Sequence, residues 1–414
     1  MILRYTLDVM KILLINTFYN FESTGKLMHN FRNYLLENGH EVLVLYGHGS
    51  RKNEPGLYRL SGDIEGKVHN LLGRLSGMNG CFSKNATERA LKEISSFQPD
   101  LVYLGNLHGH YISIYKLYDH LRELKIPIVQ ILWDEYMFTG ACAFTYECER
   151  YRNVCGHCPH QKDYPISWFF DTSRTLQKKK AKAYKDQNLC FVGVPYTAEK
   201  ARQSSLLKGF DVYGIDEAVD QKNIFYPRNA EKLRKELGIP EEQKVILNVC
   251  PYPSIRKGGK YYIELAEKCL DHPEYAFVHV GFKADPLGVP SNFYPIGYEY
   301  DQNRLAEFYS MADLFICTSL AETEPNTCIE ALSCGTKIAG FNISGVPSCA
   351  PAPYGTYVPV EDTGALKEIV LRTPKKTEIS IQETQAYART RFDADDYNRK
   401  LLEAGLTRLK KETS

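Results

Sequence analysis

The sequence predicts an α/β protein built from two doubly wound parallel sheets, one after the other along the chain. Short apolar runs of strand length alternate with amphipathic helical patterns from Met10 onward. The alternation breaks at a polar connector near 224–242 and then resumes as a second series of similar length. The chain has 414 residues, 43% of them hydrophobic, which is enough for two full cores.

In the first series, 11–16 is an apolar run of strand length. The stretch 24–38 places Leu27, Phe31, Tyr34 and Leu35 on one helical face and stops at Gly39. Further strands are expected at 41–46, 100–104, 127–133 and 189–192, with helical patterns between them. The loop from Tyr19 to Gly25 separates the first strand from its helix, and should face a cleft at the carboxyl ends of the strands. The connector holds Pro227, a short charged helix at 230–237, Gly238 and Pro240. Beyond it, strands are expected at 245–249, 276–281, 314–317 and 337–340, and helices at 260–269, 302–312 and 325–334. A long charged helix at 381–411 ends the chain. The expected domains are 10–225, 226–380 and a C-terminal helix, 381–414, that packs back across the junction of two halves facing one crevice.

The net charge of +1 gives no strong field toward nucleic acid. No apolar run is long enough to span a bilayer. The first nine residues carry Asp8 and lack the apolar core of a secretion signal, and Met10 directly precedes the first strand. They read as an upstream extension, and the protein reads as cytoplasmic. Its twelve cysteines are then expected to be thiols or metal ligands rather than disulfides.

The chemistry concentrates in the second half. Glu322 and Glu330 flank an expected helix start, with Pro325 suited to its first position and Gly335 to its stop. The backbone N–H groups of Asn326 and Thr327 form the positive end between the two carboxylates. That layout suits a nucleotide diphosphate sugar: the helix end takes the diphosphate, Glu330 accepts from ribose hydroxyls and Glu322 reaches toward the sugar. Acidic residues favour any helix start, so the surroundings decide. Arg256, Lys257, Gly258 and Gly259 follow a strand of the same half, and pair two cations with glycines that admit a phosphate to the backbone. The run Val280, Gly281 and Phe282, after the next strand, could line the same crevice. There is no Walker-type loop.

In combination these residues resemble family 4 glycosyltransferases of the GT-B fold, in which two Rossmann-like doubly wound domains face a cleft. The matching pieces are Arg256, Lys257 and Gly258, the run from Tyr309 through Asp313 to Ser319, the pair Glu322 and Glu330 with Pro325, Asn326 and Thr327 inside it, and Gly345 to Pro347. The first half is similar to a colanic-acid-type subgroup that builds bacterial exopolysaccharides. It supplies the runs Ser23 to Lys26, Asn106 to Gly109, Phe138 to Gly140, and Cys155 to Pro159. The resemblance implies a retaining hexosyltransferase. A nucleotide diphosphate sugar would be its donor and a saccharide, often lipid-linked, its acceptor, in exopolysaccharide, capsule or O-antigen synthesis. No metal or other cofactor is implied. Lys257 and Arg256 would hold the diphosphate, Glu330 the ribose and Glu322 the transferred sugar. Gly25 would approach the phosphates, and Asp134 would hydrogen-bond a sugar or the acceptor, or cap a turn. Two alternatives are a non-catalytic nucleotide-sugar binder and a GT-B epimerase.

Trp133 stands where the family has a histidine; it could stack on a sugar but cannot accept a hydrogen bond there. Tyr213 and Gly214 depart from an Asn-Gly pattern and are expected to be structural. Asn106 and His108 are acceptor-pocket candidates, with a purely structural histidine as the plainer option. Cys142, Cys148, Cys155 and Cys158 could form a structural zinc site, a set of buried thiols, a redox pair or an incomplete metal site. The basic run Lys178, Lys179, Lys180 and Lys182, with Trp168, Phe169 and Phe170 before it, is either a peripheral contact with the inner membrane or a solvated helix face.

Overall fold

The computed structural model describes residues 9–51, 54–283 and 288–412; residues 1–8, read above as an upstream extension, lie outside the described residues. The chain forms two units, Met1–Ile215 with Asp395–Ser414, and Asp216–Ala394.

In the first unit, β1 (Lys11–Phe18), β2 (Glu41–His48), β3 (Leu57–Arg59), β4 (Leu101–Leu104), β5 (Ile128–Leu132), β6 (Leu189–Gly193) and β7 (Asp211–Gly214) form one parallel sheet in the order β3-β2-β1-β4-β5-β6-β7. Leu13 pairs with Leu43 on one side of β1 and Ile15 with Leu104 on the other. The central strands are largely apolar because helices cover both faces. Those helices are α1 (Glu22–Glu37), α2 (Asp63–Ser76), α3 (Lys84–Phe97), α4 (Ile114–Leu124), α5 (Ser173–Tyr184) and α6 (Pro195–Arg202). Leu13, Ile15, Val102, Leu104, Leu117 and Phe191 are fully buried in its core.

The second unit holds α7 (Glu231–Glu236), β8 (Lys244–Tyr252), α8 (Gly259–Lys268), β9 (Tyr275–Phe282), β10 (Phe293–Ile296), α9 (Gln302–Met311), β11 (Leu314–Cys317), α10 (Asn326–Ser333), β12 (Ile338–Phe341), β13 (Gly355–Val358), α11 (Thr363–Arg372) and α12 (Glu378–Arg391). Its sheet order is β10-β9-β8-β11-β12-β13, all parallel, so it reverses direction beside β8 just as the first reverses beside β1. The outer strands β3, β7, β10 and β13 went unseen in the sequence. They are short and only partly buried, and give no continuous apolar run.

The single helix expected at 381–411 is two helices. Phe392 is fully buried in the second core and its carbonyl accepts Gln221 Nε2 at 3.0 Å, which stops α12. The chain restarts as α13 (Ala394–Glu412), with Asp395 and Asp396 in its first turn. α13 belongs to the first unit: Tyr103 donates to the Leu401 carbonyl at 3.1 Å and Asn188 to that of Arg408 at 3.2 Å. The division also falls earlier than the connector, because Val219 and Phe225 already sit in the second core.

Candidate active site

In a doubly wound sheet, ligands bind where the strand order reverses, beyond the carboxyl ends of the two strands concerned. In the second unit those strands are β8 and β11. The loops that leave them carry Arg256 and Lys257 after β8, and Glu322 after β11. The loops are joined directly. Leu320 donates its N–H to the Arg256 carbonyl at 2.7 Å, and Arg256 Nη1 donates to the Ala321 carbonyl at 2.7 Å. Gly258 makes this closure possible: its φ is +65°, and a Cβ there would overlap the Thr318 carbonyl oxygen. Gly258→Ala is therefore expected to cost at least about 2 kcal/mol, combining left-handed backbone strain with the overlap. A thermal melt reads it, and an unchanged melting temperature would refute the stated closure.

Glu322 is 8% exposed and holds both cations, Lys257 Nζ at 2.6 Å and Arg256 Nη1 at 3.3 Å. Burial pushes its carboxyl upward, but the charges of Lys257 and then Arg256 outweigh that and bring it below the ordinary value. Gly345 donates its N–H to the Glu322 carbonyl at 2.9 Å, and any side chain on Gly345 would overlap the Thr323 carbonyl.

Pro325 is the N-cap of α10, not its first residue; its ψ of 114° is extended, so the helix opens on Asn326 and Thr327. Glu330, one turn further on, accepts a hydrogen bond from Tyr309 at 2.7 Å, which ties its carboxylate to α9. Thus Arg256, Lys257, Glu322, Asn326, Thr327 and Glu330 all lie on β8–α8, β11–α10 and the first turns of α10. Gly281, in β9, makes a close backbone contact beside the site. It packs on the Cys250 backbone, and beside it Phe282 stacks on Tyr252 at 4.8 Å, bracing the end of β8.

A buried acidic cluster in the same unit was not read from the sequence. Glu324 accepts the Glu217 backbone N–H at 2.7 Å, and Arg391 pairs with Asp216 at 2.5 Å and approaches Glu324 at 3.6 Å. Burial, and then the charge of Glu322, push the Glu217 carboxyl up to about 8. Burial, then Asp216 and Glu217, also hold Glu324 well above the ordinary value.

The remaining expected site residues lie in the first unit. Gly25 is inside the first turn of α1 rather than in the preceding loop; without a Cβ, this turn can sit on Phe18. Asp134 serves the chain itself: Oδ1 accepts the Tyr136 N–H at 2.9 Å, and Oδ2 lies 3.1 Å from His108 Nε2. The His108 ring stacks on Tyr136 at 4.6 Å. Trp133 is 8% exposed and lies against Gly105, where a Cβ would come within 2.4 Å of its ring. Lys180 is not part of a solvated basic face. It is fully buried, donates to the Thr139 and Gly140 carbonyls at 3.1 Å, and is pulled down to about 7 by burial. Cys142, Cys148, Cys155 and Cys158 line one small pocket in which Cys142 hydrogen-bonds Cys158. Among the described residues, no group of three or more His, Cys, Asp or Glu is placed to hold a metal ion. A cavity of about 730 Å³ opens at the carboxyl ends of β2 and β3, with Tyr46, Tyr58, Arg59, Asn85 and Arg89 in its wall.

Known proteins agree with this architecture. The sucrose-phosphate synthase of Thermosynechococcus elongatus has a TM-score of 0.67 at 15% identity, over 98% of this chain and 100% of its own. Anabaena HepE, solved in complex with UDP-glucose, has a TM-score of 0.67 at 15% identity, over 95% and 99%. The fold is the GT-B fold of glycosyltransferases. Residues 229–385 match the family described as "Glycosyl transferases group 1", and the chain is a transferase of the glycosyltransferase kind. WcaC of Escherichia coli (strain K12), described as a colanic acid biosynthesis glycosyl transferase, is 21% identical over 321 residues, 73% of this chain and 76% of WcaC.

Proposed function

We propose that this chain is a retaining hexosyltransferase that takes its sugar from a nucleotide diphosphate donor without a catalytic metal. The observation that supports this most is the trio of Lys257, Arg256 and Glu322 at the strand-order reversal of the second sheet, beside the start of α10. A leaving diphosphate gains negative charge, and preorganised cations and backbone N–H groups aimed at it lower the barrier. Lys257 and Arg256 exchange part of their pairing with Glu322 for the diphosphate, Glu330 holds the ribose, and Glu322 meets the transferred sugar. Asp134 acts in the first unit by orienting His108. The acceptor is a saccharide carried on a lipid, received by the first unit. The aromatic and arginine-lined cavity there offers stacking and hydrogen bonds to it. The setting is cytoplasmic, in peripheral contact with the inner membrane, in the synthesis of a bacterial surface polysaccharide. WcaC supports the pathway, and the UDP-glucose complex of HepE supports the donor class.

A thermal-shift screen with uridine, guanosine and adenosine diphosphate sugars tests the donor, since a ligand of the native state raises its melting temperature. Donor turnover with and without saccharide acceptors then distinguishes a transferase from an epimerase, which needs none, and from a binder, which turns over nothing. Glu330→Ala is expected to raise KM for the donor about tenfold or more while leaving kcat within a few-fold, because the ribose contact is made equally in ground and transition states. Steady-state kinetics over donor concentration reads the split; an unchanged KM would remove the ribose assignment.

A further inference from the structure

Helix α2 carries its apolar residues on the side away from its own unit. Its buried residues are Gly66, His69 and Gly73, while Ile64, Val68, Leu71, Leu72 and Leu75 are exposed, Ile64 to 80%. The spacing of those five puts them on a single stripe about 100° wide. The inward face is fixed by its glycines. A Cβ on Gly66 would come within 2.8 Å of the His48 ring, and one on Gly73 within 2.5 Å of the Asn79 side chain. Rotating the stripe inward would bring leucines to those close approaches.

The stripe continues into the segment 168–170. Trp168 donates its N–H to the Arg74 carbonyl at 2.7 Å, and Thr172 Oγ1 donates to that of Gly77 at 2.5 Å, so this segment is fastened to the end of α2. The Arg74 guanidinium lies 5.8 Å from the centre of the Trp168 ring. Phe169 and Phe170 are exposed to 66% and 61%. Contiguous apolar surface of this kind marks an interaction site.

The charges around it select the partner. Both acids of α2 are neutralised inside the unit: Asp63 pairs with Arg59, and Glu65 with Arg89 at 2.7 Å. Lys67 and Arg74 fall together along one flank of the stripe, and Lys162 is bonded to the Trp168 carbonyl. A symmetric contact between two copies would set these cations against themselves. An anionic bilayer meets every feature: aliphatic side chains at the acyl boundary, a tryptophan at headgroup depth, and cations at the phosphates.

We propose that α2 and the segment 168–170 form a docking surface for the headgroup layer of an anionic membrane. This gives a location to the membrane contact in the proposed function and rests on that reading for its biological purpose. It shifts the main point of contact away from the basic run of α5, in which Lys180 is buried while Lys178, Lys179 and Lys182 are exposed.

Co-sedimentation tests it, with vesicles of phosphatidylethanolamine and phosphatidylglycerol against vesicles of phosphatidylcholine alone. The wild-type chain is expected to partition onto the anionic vesicles and to be released by high salt. A triple variant, Ile64→Ser with Leu71→Ser and Leu75→Ser, and a separate Phe169→Ser with Phe170→Ser variant, are each expected to bind about tenfold less with unchanged melting temperatures. Absence of wild-type binding to either vesicle, or equal binding by both variants, would overturn the proposal. So would size-exclusion chromatography showing that the triple variant turns a dimer into a monomer. The melting shift produced by uridine diphosphate is measured in parallel: its loss in the wild type would count against the donor site and leave the vesicle result standing alone.

Discussion

Lys257→Ala is expected to lower kcat for sugar transfer by about two to three orders of magnitude, the usual effect of removing one preorganised charge from a developing anion. The substitution also withdraws the nearer of the two cations from Glu322, at 2.6 Å, and leaves the carboxylate with Arg256. The chain should still fold. Lys257 is partly exposed and Arg256 still pairs with Glu322, so the cost stays near about 1–3 kcal/mol, below the 5–15 kcal/mol typical of a folded domain. Circular dichroism and a thermal melt establish the fold, and single-turnover kinetics isolates the transfer step from release. Turnover close to wild type in a folded variant would remove Lys257 from the chemistry.

Glu217→Gln is expected to flatten the pH dependence of stability. The native chain keeps the Glu217 proton up to about 8, whereas the unfolded chain gives it up near the ordinary value of 4.5. Over that window the native state binds more protons, so stability falls as pH rises through it. At about 1.4 kcal/mol per pH unit, the interval amounts to roughly 5 kcal/mol. Urea unfolding at about pH 5 and about pH 8.5 reads the difference. The variant should lose much less between them, retaining a smaller slope from Glu324, which burial also holds high. Equal slopes in the two proteins would show that Glu217 ionises normally.

The parts legible in the sequence share one property: local pattern decides them. β1 and β9 are apolar along nearly their whole length because both faces are covered, so composition alone marks them. Arg256, Lys257, Glu322 and Glu330 stand just beyond strands or at a helix start, where chain position predicts a shared edge of the sheet. What pattern cannot show is pairing. Nothing in the sequence says that Glu322 takes both cations. Glu217 and Glu324 meet across 107 positions, and Asp216 and Arg391 across 175, distances at which no periodicity operates. Direction is equally hidden. The stripe on α2 has the spacing of any amphipathic helix, and only the tight seats of Gly66 and Gly73 show that it points outward. The break at Phe392 belongs to the same class, since its cause is burial in a core formed by distant residues.

The return of α13 to the first sheet has a consequence for synthesis. Tyr103 and Asn188 are made early, but the helix whose carbonyls receive them is made only after the whole of the second unit. The intervening unit is continuous and can complete itself during elongation, while its predecessor waits with one flank uncovered. At about 5–20 residues per second, that wait is on the order of ten seconds or more. The nascent chain thus carries an open apolar flank for as long as the second unit is being made, the interval in which a holdase would find it.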